Sequence, residues 1–447
     1  MLISTDALEL NMQMVNTASI QGMSDGELTP EHMVSYGKAA GMQYNVIAVG
    51  RDLTPSSMMM MNSFIAGARS VGSNILDIGV IPPMVMPFCK ENQRCNVIFG
   101  NPEDRGRVGG ITFYNPDGRL FTASQMEQID RQIQTMKSVT NEHNIGDYDV
   151  ISGTLEDYRR SIVNDSDDVD CEISIDCASG PCSLIAPSIL TDLGADVTTL
   201  NCQMDDRSPG RELSPDEINL RLLMKSAKIN TDGIGVAFNG DGTRIAAIDE
   251  GSRYISGSNL LAIMMRYLKP KTVVVPINTP MVVSDLLKCN VIYSPLSKQS
   301  LAEMTKDKEA DIGGSDDGTF IFPSTSYCSD GIMAAITLGK MASESMICDM
   351  VDASPKYYGA KGFVRHYESR EHLSKKLSDN LYSLEYDKIS DCDGWRVEFN
   401  DGWLLVRFSD YDRAVDILAE GRDKAYTVSL LEMGKEIVSS SLMTIGR

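Results

Sequence analysis

A strand–turn–helix pattern that recurs along this chain constrains its fold more than any other feature. Tyr44 to Gly50 (YNVIAVG) is a β-branched apolar run, after which Pro55-Ser56-Ser57 opens a helical pattern through Met58, Met61, Phe64, Ile65 and Ala68. Asn74 to Gly79 reads as a further strand before a turn at Pro82-Pro83. The pattern returns at Glu172 to Asp176, which runs into Ser179-Gly180-Pro181 and an apolar helix from Leu184 to Leu193. It returns again at Thr272 to Pro276 (TVVVP), with a helix beginning near Pro280. Repeated alternation of this kind requires α/β units with mixed or parallel sheets. At roughly 100–200 residues per domain, 447 residues predict about three such domains. The C-terminal stretch differs: Trp395–Asn400 and Trp403–Phe408 alternate around Asp401-Gly402, a hairpin signal, and a helix follows from Lys424 to Val438. The expected fold is therefore α/β, with three similar mixed-sheet domains and a smaller C-terminal α+β domain. Polar stretches at Asn164–Asp170, Asp249–Ser252 and Ala360–Ser369 are the candidate boundaries.

Charge narrows the partners. With 41 Lys+Arg against 62 Asp+Glu the net charge is −21, a surface that repels phosphate backbones and anionic lipid, so neither nucleic acid nor membrane is expected as a partner. The opening MLISTDALEL shows no basic stretch followed by an apolar one, and no run approaches about 18 apolar residues. A cytoplasmic location is expected. Ten cysteines without a CxxC pair and four histidines (His32, His143, His366, His372) exclude zinc-finger or iron–sulfur spacing and read as reduced, mostly buried thiols. Ser179 to Ser183 lacks a phosphate-cradle pattern and reads as a βα turn, and Met58–Met61 reads as packing on a helix.

The order of segments resembles the α-D-phosphohexomutases, the phosphoglucomutase/phosphomannomutase family. Val49–Ser57 (VGRDLTPSS), Asp77–Pro83 (DIGVIPP) and Ile111–Phe121 are similar to its first domain, and Asp176–Ser183 and Ser208–Leu220 to its second. Gly235–Glu250 (GVAFNGDGTRIAAIDE) resembles its metal-loop strand, Gly313–Pro323 its sugar loop and Asp401–Arg407 the entry to its phosphate loop. The resemblance implies four domains around a central cleft, divided at 1–150, 151–250, 251–368 and 369–447. It also implies a phosphoryl group moved between an enzyme serine and sugar hydroxyls, with Mg²⁺ and cationic groups to offset charge.

Each functional loop departs from the family's pattern. Counting back from Gly110-Ile111 lays the serine loop on Gly100–Gly110, with Pro102 at the phosphoserine position and Glu103 at the following histidine; Ile98–Val108 contains no Ser, Thr or Tyr. The metal loop reads Asn239-Gly240-Asp241-Gly242-Thr243-Arg244, so the metal candidates Asn239, Asp241 and Thr243 include one carboxylate. Gln21 stands for an arginine, Arg51 keeps only the first arginine of its motif, and Pro295 falls where a lysine is usual. Ser315 replaces the sugar-gripping glutamate beside Asp316 and Asp317, while Arg407 and Ser409 persist in a phosphate loop that gains Asp410 and Asp412. The cleft or ligand candidates are thus Arg51, Arg244, Ser315, Asp317, Arg407 and Ser409. Taken together these departures predict a protein that has lost mutase chemistry and serves as a binding or regulatory subunit. No cofactor is expected, and Mg²⁺ binding is expected to be weak. The expected partners are an active paralogue or a second copy of the chain, with a small ligand in the cleft. The rival expectation is an active sugar-phosphate mutase with a different nucleophile, an isomerase, or else a small-ligand sensor.

Overall fold

The computed structural model describes residues 19–23, 28–90, 95–100, 108–135, 144–205, 210–229, 233–410 and 413–442. The first sheet holds β1 (Ser19–Met23), β2 (Val46–Arg51), β3 (Asn74–Val80), β4 (Cys95–Phe99), β5 (Val108–Tyr114) and β6 (Tyr148–Val150), in the order β1-β5-β4-β2-β3-β6. The second holds β7 (Glu172–Asp176), β8 (Asp196–Leu200), β9 (Ile234–Phe238), β10 (Ile245–Ile248) and β11 (Tyr254–Ile255), in the order β11-β10-β9-β7-β8. The third holds β12 (Thr272–Pro276), β13 (Asn290–Ser294), β14 (Ile312–Gly314) and β15 (Phe320–Ile321), in the order β13-β12-β14-β15. In each of these the central strands run parallel and an antiparallel hairpin lies to one side of them, β4–β5, β9–β10 and β14–β15; β1 and β11 then add an antiparallel edge strand to the first two sheets. The loops at the three hairpin tips are consequently equivalent by topology. They are the segments that the sequence singles out as serine, metal and sugar loops.

The parallel centres explain the sequence pattern, because strands covered by helices on both faces read as continuous apolar runs. In β2, Ile47, Ala48 and Val49 are fully buried. The helix Pro55–Arg69 starts where Thr54 accepts a hydrogen bond from the Ser57 amide and Pro55 presets the first turn. It buries Met60 and Met61 while Met58 and Met59 stay exposed, so the methionine run divides between core and surface. It packs on the helix Pro30–Gln43 through Gly37 and Gly67, where a Cβ would overlap the Phe64 and Val34 carbonyls.

The fourth sheet is antiparallel throughout: β16 (Tyr358–Arg365), β17 (Lys388–Ser390), β18 (Trp395–Phe399), β19 (Gly402–Phe408) and β20 (Ala414–Gly421), in the order β16-β20-β19-β18-β17. Its hairpin pairs Phe399 with Gly402, which places the turn at Asn400-Asp401. The helix Lys424–Leu442 covers one face. Two expected boundaries are corrected. Ala360–Ser369 is largely strand β16, so the last domain takes in residues before 369. Asp249–Ser252 is the turn between β10 and β11 of one sheet, held by the Arg253 amide donating to Asp249 at 2.8 Å. Among the described residues no helix is long and apolar enough to cross a membrane. Cys89, Cys95, Cys177, Cys182 and Cys328 are buried and not in disulfides, and Cys392 is exposed.

Candidate active site

The root of the serine loop is braced from β2. The Asp52 amide donates to the Phe99 carbonyl at 2.8 Å, and Asp52 Oδ1 accepts from the Thr54 amide and hydroxyl at 2.8 Å each. Gly100 lies directly on this carboxylate, since a Cβ there would stand 2.7 Å from Asp52 Oδ2. Arg51, half-buried at the end of β2, donates to the Asp52 carbonyl at 2.9 Å. Backbone pairing sets Gln21 opposite Gly110, so β1 flanks the same loop. Pro102, Glu103 and Asp412 lie outside the described residues.

The metal and sugar loops form one continuous structure. The Ile245 amide donates to the Gly318 carbonyl at 3.1 Å, the Gly331 amide to the Gly242 carbonyl at 3.1 Å, and Arg244 bridges to Thr319. Gly242 (φ +81°) and Gly318 (φ +85°) supply left-handed turns, and a side chain at either would strike Cys182 or the Ile245 carbonyl. Within the metal loop the three candidate side chains gather. Thr243 Oγ1 donates to Asp241 Oδ1 at 2.7 Å and stands 3.4 Å from Asn239 Nδ2, while Asn239 Oδ1 accepts the Arg244 amide at 3.0 Å. Burial chiefly, with Asp241 adding, pushes Tyr114, Cys182 and Cys328 up, which sets this carboxylate beside β5 and domain III.

In the sugar loop Ser315 is buried, its amide donating to the Thr319 carbonyl at 2.9 Å. Asp317 sits 3.8 Å from Arg244 and accepts the Thr319 amide at 3.1 Å. Burial alone would raise its carboxyl, but Arg244, Lys298 and Thr319 outweigh that and hold it below its ordinary value. A pocket beside the loop is lined by Asp216, Arg244, Tyr254, Asp316 and Asp317 among others. On the domain IV wall Arg407 is buried between Asp410 (2.8 Å) and Asp393 (3.3 Å), and the Ser409 amide pairs with Ala414 at 2.9 Å. Asp393 also accepts the Leu296 amide at 2.9 Å, tying this wall to the segment that carries Pro295.

Three supporting residues are not apparent from the sequence. Arg211 donates to the Phe238 carbonyl at 2.6 Å and pairs with Asp176 at 3.1 Å, fixing the strand end that enters the metal loop. Asp330 caps the helix Gly331–Glu344 and accepts the Tyr158 hydroxyl at 3.0 Å. Asp393 joins Arg407 to the Leu296 amide. Their partners lie far off in the chain or carry no motif, so spacing holds no signal for them.

Residues 12–140, 156–252 and 256–358 match alpha/beta/alpha domains I, II and III of phosphoglucomutase/phosphomannomutase. The chain belongs to the phosphoglucomutase/phosphomannomutase family. A Methanosarcina acetivorans relative named "Probable phosphoglucosamine mutase" is 32% identical over 96% of this chain and 100% of its own. A phosphoglucomutase/phosphomannomutase family protein from Burkholderia thailandensis has the same fold, with a TM-score of 0.81 at 18% identity, over 96% of this chain and 97% of that one. Aspergillus fumigatus N-acetylphosphoglucosamine mutase, solved with GlcNAc-6P and magnesium, matches with a TM-score of 0.53 at 12% identity, over 88% of this chain and 82% of that one.

Family membership over the whole chain corrects two expectations. The reading of a non-enzymatic binding or regulatory subunit is overturned, because full-length relatives carry the name of a mutase. The expectation of no cofactor is overturned too, since the full-length relatives are named as mutases and the Aspergillus fumigatus mutase of this fold was solved in complex with magnesium. The residues present fit that ion. Among the described residues no three His, Cys, Asp or Glu side chains cluster as a cage. Yet Mg²⁺ is ordinarily held by one or two carboxylates completed by substrate phosphate and water. Asp241, with the Thr243 hydroxyl 2.7 Å from its Oδ1, offers one carboxylate and one hydroxyl oxygen for such a site, while Asn239 turns its amide nitrogen toward Thr243 and its oxygen to the Arg244 amide.

Proposed function

We propose that this chain interconverts the 6- and 1-phosphates of a hexosamine, an intramolecular phosphoryl transfer, using a phosphoryl acceptor other than a serine of the 98–108 loop. The observation that carries this reading is the full-length match to relatives named phosphoglucosamine mutase. The acidic pocket supports the amino sugar. Asp216, Asp316 and Asp317 outnumber the single guanidinium of Arg244 there, so a protonated 2-amine is favoured over a neutral hydroxyl.

The roles then follow from position. Mg²⁺ held by Asp241, Asn239 and Thr243 would supply positive charge against the transferring phosphoryl oxygens. Arg51, at the root of the serine loop, orients the reacting phosphate. Ser315 and Asp317 hold sugar hydroxyls, and Arg244 fixes Asp317. Arg407 and Ser409 receive the distal phosphate from the domain IV wall, so the sugar is held at both ends with a hydroxyl toward the 98–108 loop.

That loop carries the carboxylates Glu103 and Asp104 but no hydroxyl. An acyl phosphate differs from a phosphoserine in being cleaved by hydroxylamine. Incubation with hexosamine 1,6-bisphosphate should add one phosphoryl mass to the intact protein, and neutral hydroxylamine should remove it. A stable adduct would place the phosphoryl on a hydroxyl elsewhere, and no adduct under turnover would exclude a covalent phosphoenzyme.

A further inference from the structure

Arg407 is the cation that the proposed reaction needs for its distal phosphate, and its side chain is already engaged. It is 3% exposed, with Nη2 2.8 Å from Asp410 Oδ2 and 3.3 Å from Asp393 Oδ2. Both carboxylates crowd one nitrogen. The neighbouring Nε is buried with no hydrogen-bond partner among the described residues. A guanidinium edge holding carboxylates through Nη2 alone leaves half of its bidentate capacity unused, and a phosphate presents oxygens spaced to take Nε and Nη2 together.

The two carboxylates are not equivalent. Asp393 is anchored from the other side, since the Leu296 amide of domain III donates to it at 2.9 Å. Asp410 lies in the loop just after β19, its side chain is 33% exposed, and its hydrogen bond among the described residues is to Arg407. Asp393 is therefore held from both sides, whereas the part-exposed Asp410 is the carboxylate that can turn toward solvent.

We propose that Asp410 is an internal stand-in for substrate phosphate: its carboxylate occupies Arg407 in the free protein and yields that position when the sugar phosphate binds. Asp410 acts through Arg407, as a positioning residue that lowers phosphate affinity and keeps the buried guanidinium paired between turnovers. The inference rests on the phosphosugar reading above. It is nonetheless testable without turnover.

The experiment is calorimetric titration of inorganic phosphate into the full chain, as wild type, D410N, R407Q and the double variant, with D410S as a second removal of the charge. D410N and D410S should bind phosphate about tenfold tighter, the scale of one charge-assisted hydrogen bond released for exchange. The KM for hexosamine 6-phosphate should fall by a similar factor, with the change concentrated in KM rather than kcat. In the R407Q background the D410N gain should vanish. Unchanged or weaker phosphate binding in both Asp410 variants, no measurable binding to any form, or a gain that survives R407Q would overturn the proposal. A wild type that lacks mutase turnover while D410N still tightens phosphate would instead sink the functional reading and leave this inference standing.

Discussion

Asp330 is a buried carboxylate held between the helix start it caps and the Tyr158 hydroxyl, and burial pushes its pKa up to about 6. In the unfolded chain the same group titrates near 3.9. The folded state thus binds the proton more tightly. Its stabilising contribution is complete below about pH 4 and is lost as the pH rises through about 6. D330N retains a capping oxygen but removes the titration. The stability of the wild type relative to D330N should fall by about 3 kcal/mol at most between about pH 4 and pH 7, about two pKa units at 1.36 kcal/mol each. Urea unfolding across that range reads it. A pH-independent difference would show that Asp330 keeps an ordinary pKa. The same residue shows where sequence reasoning stops. Tyr158 and Asp330 meet across domains at a separation of 172 residues, and neither belongs to a motif.

At the scale of elements, the β18–β19 hairpin is legible as alternation around a turn, but what it docks against is not. Arg396 on β18 is 1% exposed. Its Nη1 donates to the Ile277 and Thr279 carbonyls of domain III at 2.8 and 2.7 Å, its Nε pairs with Glu398 at 3.0 Å, and its guanidinium lies 4.2 Å from the Trp403 ring centre and 4.6 Å from that of Tyr293. Glu420 completes the seam by accepting the Met281 amide at 2.6 Å and the Trp403 indole at 2.8 Å. R396A would strand the two buried carbonyls and remove the ion pair to the part-exposed Glu398, a loss of about 2–5 kcal/mol. Calorimetric unfolding should show domain IV melting earlier than the rest, and an unshifted transition would contradict this coupling. Strand β16 was missed for a related reason: on a sheet edge its side chains alternate between covered and open, and Ala360–Arg365 reads as a polar linker. The hairpin-tip loops were found because glycines and acidic residues keep their spacing there. A metal site of this kind is hard to read from sequence, because a phosphosugar would complete the coordination with oxygens that the chain does not carry.

For the whole molecule, the −21 charge and the lost arginines suggested that the cleft no longer receives a phosphosugar. Several cleft charges are nonetheless paired: Arg407 with Asp393 and Asp410, Arg244 with Asp317, and Arg211 with Asp176. That Ile98–Val108 holds no Ser, Thr or Tyr bears on which atom would carry the phosphoryl group, whereas three-domain family membership and full-length relatives named as mutases support the proposed reaction. The decisive measurement is ³¹P NMR of the purified chain with Mg²⁺, a trace of hexosamine 1,6-bisphosphate and either glucosamine 6-phosphate or glucose 6-phosphate. The account predicts that the 1-phosphate resonance grows at an ordinary enzymatic rate, about 1–10³ s⁻¹, faster with the amino sugar, and that chelation of the metal stops it. Absence of the 1-phosphate from both substrates would contradict it.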